Sequence, residues 1–217
     1  MRLGAHRVGR SSHSTEVKVL KRSIRVVLAI VVCAALPVVA HGQNKKLPKG
    51  PEEFSINAQT AGDGGALASQ FVIAITRYST DKERDVLANA LKQGGYPAFL
   101  PALRNSPLVG QLTAGTQQFD IRYAYQREAA TTATGGGRTI VVVTDKPVYF
   151  VGGGAVQAKS REGYEVAVAQ FEVDEVGLGQ GTMAMAARVK PGGPAGVQVD
   201  DYAAKPVKLS TVRKLLK

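Results

Sequence analysis

Beyond residue 53, apolar residues recur at every second position along most of the chain, the period of a half-buried strand. Phe71, Ile73 and Ile75 share one face of a segment over 66–78, with Val72, Ala74 and Thr76 on the other. Phe119, Ile121, Tyr123 and Tyr125 alternate with Asp120, Arg122, Ala124 and Gln126. Over 164–173, Ala167, Ala169, Phe171 and Val173 point inward; over 182–189, Met183, Met185, Ala187 and Val189 do so. The run 138–144 (RTIVVVT) is apolar on both faces, which predicts a strand in the middle of a sheet. Shorter strands are expected at 54–60, 148–151, 197–201 and 207–212. Gly/Pro-rich turns such as Lys190-Pro191-Gly192-Gly193-Pro194 join them, and short turns favour antiparallel pairing.

One stretch has a different period. Thr80-Asp81-Lys82-Glu83 spells a capping box, in which the Thr80 hydroxyl caps a free amide and Glu83 reaches back. Val86, Leu87, Ala90 and Leu91 then recur on one helical face, and Gly94-Gly95 ends the helix. A short second helix is expected over 98–104, between Pro97 and Pro107. The fold class that follows is α+β, predominantly antiparallel β: a bent sheet, sandwich or partly closed barrel with a two-helix insertion near residues 80–104. Arg77 lies on the Phe71/Ile73/Ile75 face. It either reaches to water at the strand end or faces a ligand or a fixed acid.

Charge changes the picture at the N-terminus. The net charge is +11, but residues 1–42 hold seven bases against one acid, so the remaining chain carries 21 against 16. That residual +5 is too little, and too spread, for a nucleic-acid binder. After Arg25, residues 26–40 run uncharged and small residues close the run, the order of a secretory signal. Cleavage fits after Ala40 or after Gly42, the latter with small residues at both flanking positions. Residues 1–42 are therefore expected to be a signal peptide and 43–53 a flexible lead-in. Residues 54–217 are expected to be a single domain, secreted or periplasmic and not membrane-spanning after cleavage.

Cleavage would remove much chemistry. The three histidines are His6, His13 and His41, and the one cysteine is Cys33. A chain starting at Gln43 has neither residue type, so Ser–His and Cys–His nucleophiles and His/Cys zinc sites are excluded from it. No catalytic, cofactor-binding or metal residue is assigned, and no cofactor. The remaining constellations are weak. Glu172, Asp174 and Glu175 offer paired acids near a turn, and Asp200-Asp201-Tyr202 is another acidic step. Gly152-Gly153-Gly154 follows a strand but lacks the Gly-Lys-Ser/Thr of a phosphate loop. Tyr123, Tyr125, Tyr149 and Tyr164 are candidates to line a cavity, and Lys205, Lys208, Arg213, Lys214 and Lys217 make a basic C-terminal end.

The segments 76–84 (TRYSTDKER), 137–147 (GRTIVVVTDKP) and 202–209 (YAAKPVKL) resemble a family of uncharacterised secreted bacterial proteins, over roughly residues 70–213. The resemblance implies export and a single domain of unknown function. It supplies no catalytic residue, and the family pattern has a second basic residue where Thr139 stands. The expectation is an exported non-enzymatic protein that binds an envelope protein, a cell-wall polymer or a small apolar ligand. The alternatives are a carboxylate-dependent envelope hydrolase, which needs two buried acids in one cleft, and a lipocalin-like carrier, which needs a closed barrel around an apolar cavity.

Overall fold

In the computed structural model the chain divides into units Met1–Gln43 and Asn44–Lys217. The described residues are 46–62, 65–129, 137–149, 161–203 and 205–216, all in the second unit, with side-chain burial given outside 60–68. The signal segment, the 63–64 and 150–151 positions and most of the 152–163 glycine loop lie outside them. Among the described residues, no helix is long and apolar enough to cross a membrane.

Among the described residues, nine strands and one helix follow in order. They are β1 (Glu52–Gly62), β2 (Gly65–Ile75), α1 (Asp81–Asn105), β3 (Gly110–Ala114) and β4 (Gln117–Glu128), then β5 (Gly137–Thr144), β6 (Val166–Asp174), β7 (Leu178–Pro191), β8 (Val197–Tyr202) and β9 (Val207–Leu215). Every pairing is antiparallel. Strands β1 to β7 form a meander, and β9 fits between β7 and β1. The additional β6–β7 pairing closes eight strands into a barrel, with β8 outside it on β7. Of the architectures left open by the sequence, the barrel is the one adopted.

An eight-stranded barrel is just wide enough for its own side chains to fill. Phe54, Ile56, Phe71, Ile73, Ile75, Leu112, Ile121, Ile140, Phe171, Met183 and Leu209 all belong to one interior cluster and are at most 1% exposed. The Phe54 and Phe171 rings meet edge to face with centroids 5.3 Å apart, which adds to the area they bury.

A second core lies outside. Helix α1 leaves after β2 and returns to β3, and its Leu87, Leu91, Phe99 and Leu103 pack on Tyr123, Val143, Val168 and Ala184 of the outer wall. The capping box forms as the sequence requires: Glu83 donates its amide to the Thr80 hydroxyl (3.2 Å), and the Thr80 amide donates to Glu83 (2.8 Å). The two expected helices are one element broken at Gly95, where φ is +63°. Pro97 follows, in the first turn after the break, where a missing N–H costs least.

Two β-bulges correct the expected alternation. An extra residue in β4 between Ile121 and Tyr123, and another in β7 opposite Val166–Val168, each shift the side chains beyond to the other face. Ile121 points inward, but Tyr123 and Tyr125 face the helix. Met183 and Met185 point inward, but Ala187 and Val189 join the outer core. Three further expectations are also corrected. Residues 110–114 form a strand whose five-residue pattern was too short to read. Residues 147–149 are not a strand, although Val148 is buried and donates its amide to Met185. The strands run on through Glu52 and Leu215, so the lead-in and the basic tail each give up residues to the sheet.

Candidate functional site

The outward side chains of β4 to β7 fall into rungs, because antiparallel register sets residues side by side. The rung beneath the helix is Tyr123–Val143–Val168–Ala184. The next is Tyr125–Val141–Gln170–Thr182, and the third is Arg127–Thr139–Glu172–Gln180. Within three rungs the wall changes from apolar to polar.

Only the first rung is buried throughout, and its Val168 and Ala184 still border the space beyond. Strand β7 outruns the barrel and bends across the wall, and its last residues pair with β8. The turn at the tip of this hairpin is pinned at two points. Tyr123 donates its hydroxyl to the Ala195 carbonyl at 2.5 Å. Gly196, at φ +74°, lies against α1 so closely that a Cβ there would stand 3.1 Å from the Ala88 Cβ. An arch held at root and tip leaves a gap beneath it. A cleft of about 520 Å³ lies there, floored by Tyr125, Val141, Val168 and Gln170 and roofed by Pro194, Val197 and Val199. This is the volume and mixed lining of a pre-formed ligand site. Arg127 and Thr139 stand at its polar rim. Arg127 has no ion-pair partner among the described residues, whereas Asp200 on β8 is held by Lys190 (3.2 Å) and Arg188 (3.3 Å). Thr139 donates its hydroxyl to Glu172 at 3.4 Å.

A second concentration of polar groups is buried at one end of the barrel. The β5 alternation that turns Ile140 and Val142 inward also turns Arg138 inward. Glu52 from the start of β1 meets it with two bonds of 2.6 Å, one to each carboxylate oxygen. Tyr78 and Lys214 each add a bond of 2.7 Å to Glu52, and Gln126 accepts from Arg138 at 2.6 Å. Burial alone would raise the Glu52 carboxyl, but bonds from Arg138, Lys214 and Tyr78 outweigh it and hold the group down at about 2. Burial pushes the Tyr78 hydroxyl up, so it remains a donor. A carboxylate with both oxygens taken by cations is a structural lock with no proton to give at neutral pH.

The residues singled out from sequence fall in scattered places. Arg77 meets a fixed acid: it pairs with Glu83 at 2.7 and 2.9 Å, which holds that carboxyl at about 2 and ties the helix start to the barrel. Asp174 accepts the amides of Val176 and Leu178, so it caps a turn, while Glu172 belongs to the polar rung. The four tyrosines do not share a cavity. Tyr123 pins the arch, Tyr125 lies in the cleft, Tyr149 lies beside Phe119 in a different recess, and Tyr164 donates to Asp201 at 2.5 Å. Among the described residues, no three His, Cys, Asp or Glu side chains gather to hold a metal ion.

The cleft residues Arg127, Gln170 and Thr182 were not singled out, and Thr139 was noted only for its departure from the family pattern, because the arch above them comes from a strand that pairs outside the barrel. The Glu52–Arg138 pair left a signal: a cation in inward register with Ile140 and Val142 requires a buried acid. No protein-family model, curated protein or solved structure matches the chain.

Proposed function

We propose that this is an exported, non-enzymatic binding protein that holds its ligand in the outer cleft, not inside the barrel. The observation that carries the reading is the graded floor, apolar under the helix and polar at the rim, beneath an arch anchored at both ends. The two other readings find less support. The barrel closes as a lipocalin-like carrier requires, but its interior is filled by its own side chains. For a carboxylate hydrolase, no two buried acids share a cleft among the described residues. The displaced carboxyls of Glu52, Glu83 and Asp201 all lie below their ordinary values, the wrong direction for a general acid. Export rests on the uncharged run after Arg25 and on the resemblance to secreted bacterial proteins.

The test is binding of the fluorophore 1-anilinonaphthalene-8-sulfonate, whose rings suit the floor and whose sulfonate suits Arg127. Saturable enhancement at one site is expected, lost in Gln170→Trp, which fills the floor from an exposed position. Enhancement unchanged in that variant would place the dye elsewhere and overturn the cleft. A mass beginning at residue 41 or 43 in protein from the host envelope would support export; retention of residues 1–42 would overturn it.

A further inference from the structure

The cleft is touched by Val197, Gln198, Val199 and Asp200, four consecutive residues of one strand. Val197 and Val199 share one face of β8 and Gln198 the other, while a bulge at Asp200 breaks the alternation, so no single face presents all four. A cleft that meets each of them runs along the strand's edge. That edge is unpaired: among the described residues, β8 is bonded only to β7. Its backbone N–H and C=O groups on the other side therefore face the cleft, with the wall of the barrel below them.

The dimensions agree with this. The hairpin root pairs with β7 and its tip reaches Tyr123 of β4, so β8 lies across the barrel strands. The floor beneath it spans four strands. At about 4.8 Å per strand this is roughly 14 Å, and an extended chain at about 3.3 Å per residue fits about four residues in that length.

We propose that the ligand is an extended peptide that adds to β8 as a further strand, with alternate apolar side chains seated on Tyr125, Val141 and Val168. This rests on the cleft being the binding site. Main-chain bonds to an open edge supply affinity in such pairing, and pockets under alternate residues supply selectivity. The charges set a polarity along the peptide. At the β4 end Arg127, which has no ion-pair partner among the described residues, stands at the rim and takes an acidic residue. At the β7 end Asp200 already has two cations, and Glu172 lies on the polar rung between. The peptide is acidic at the end over β4 and uncharged over β7.

The experiment uses Ac-Glu-Val-Thr-Val-Thr-NH2 and its reversed sequence, which covers both strand directions, against the intact protein. One of the two is expected to bind and to slow hydrogen exchange at the β8 amides at least tenfold. Methylation of its alternate amide nitrogens, which removes donors but keeps the side chains, is expected to weaken it tenfold or more. Arg127→Gln is expected to weaken the Glu peptide several-fold and leave a Thr-for-Glu version unchanged. Equal binding of the N-methylated peptide would overturn strand addition and leave the cleft standing. So would dye binding with no peptide binding. Protection of β8 with dimerisation in the absence of peptide would make a second copy the occupant and overturn the peptide. If neither dye nor peptide binds, the cleft falls with it. Val199→Trp, on the roof, repeats the blocking test independently of Gln170→Trp.

Discussion

Strands β4 to β7 pack on both faces where the helix crosses them, and the two faces are built differently. Inside, Ile121, Ile140, Val142, Phe171 and Met183 interlock with side chains from every other barrel strand, and the space is filled. Outside, the same strands present Tyr123, Val143 and Val168 to a helix, and then Tyr125, Val141 and Gln170 to an arch that does not press down on them. The interior is fixed by closure of the barrel, so its volume belongs to all eight strands at once. The exterior is fixed by whatever lies over it, so space can be left there at little cost to the fold. A binding site is therefore more readily accommodated on this wall than within it.

The largest break in that comparison is at the interior's charged end. Glu52→Gln leaves Arg138 buried without its counter-charge and is expected to destabilise the protein by about 3–5 kcal/mol in chemical denaturation. Replacing the pair together, Glu52→Leu with Arg138→Met, is expected to restore much of that loss. A double variant as unstable as the single one would show that the lock is irreplaceable. Phe171→Ala, in the filled core, is expected to cost about 3–5 kcal/mol, because a closed barrel has little freedom to collapse around the gap.

Acid separates the two faces further. The Glu52 carboxyl lies at about 2 in the fold against an ordinary 4.5. A carboxylate held low stabilises the fold fully above its ordinary value, and the contribution disappears as the pH falls from about 4.5 towards 2. Denaturation of the native chain is expected to steepen in that window, and the gap between it and Glu52→Gln to shrink. A constant gap from pH 7 to pH 2 would contradict the lock. The effect on the outer wall is smaller. Val168→Ala removes the equivalent of two methylenes next to a cleft that water already reaches, and about 1.5 kcal/mol is expected, with little cavity cost. Smallest is Thr80→Ala, which takes one bond from the start of the helix that covers the wall. About 1 kcal/mol is expected, with helix α1 exchanging faster and the interior strands unchanged.

Much of the fold was legible because period two is easy to read where it is unbroken. Phe71, Ile73 and Ile75 were placed correctly, as were Ala167, Ala169, Phe171 and Val173, and the capping box at Thr80 formed as spelled. The errors of facing fall where one inserted residue reverses the faces. Tyr125 and Val189 look like interior residues from spacing alone, because a bulge is a matter of pairing and leaves little trace in a single strand. The cleft was hidden for a related reason. Its floor comes from four strands and its roof from a ninth that pairs outside the barrel, so no local segment contains it.

The barrel is sealed by β9 against β1, strands so far apart in the chain that Ser210 bonds Asn57 across 153 residues. Until β9 docks, β1 and the first half of β7 are both raw edges. The eight-stranded ring therefore has no partial form with complete hydrogen bonding, and contacts of such long range close slowly. The same adjacency makes the ring indifferent to where it is cut. Glu53 lies opposite Leu215, so a short linker from Leu216 back to Pro51, which keeps Glu52 in place, could join the two strands, and new ends could be opened in the turn at Gly115. Such a circular permutant should build the same ring with β9 and β1 as neighbours in sequence, and its long-range closure should move to β3 against β4.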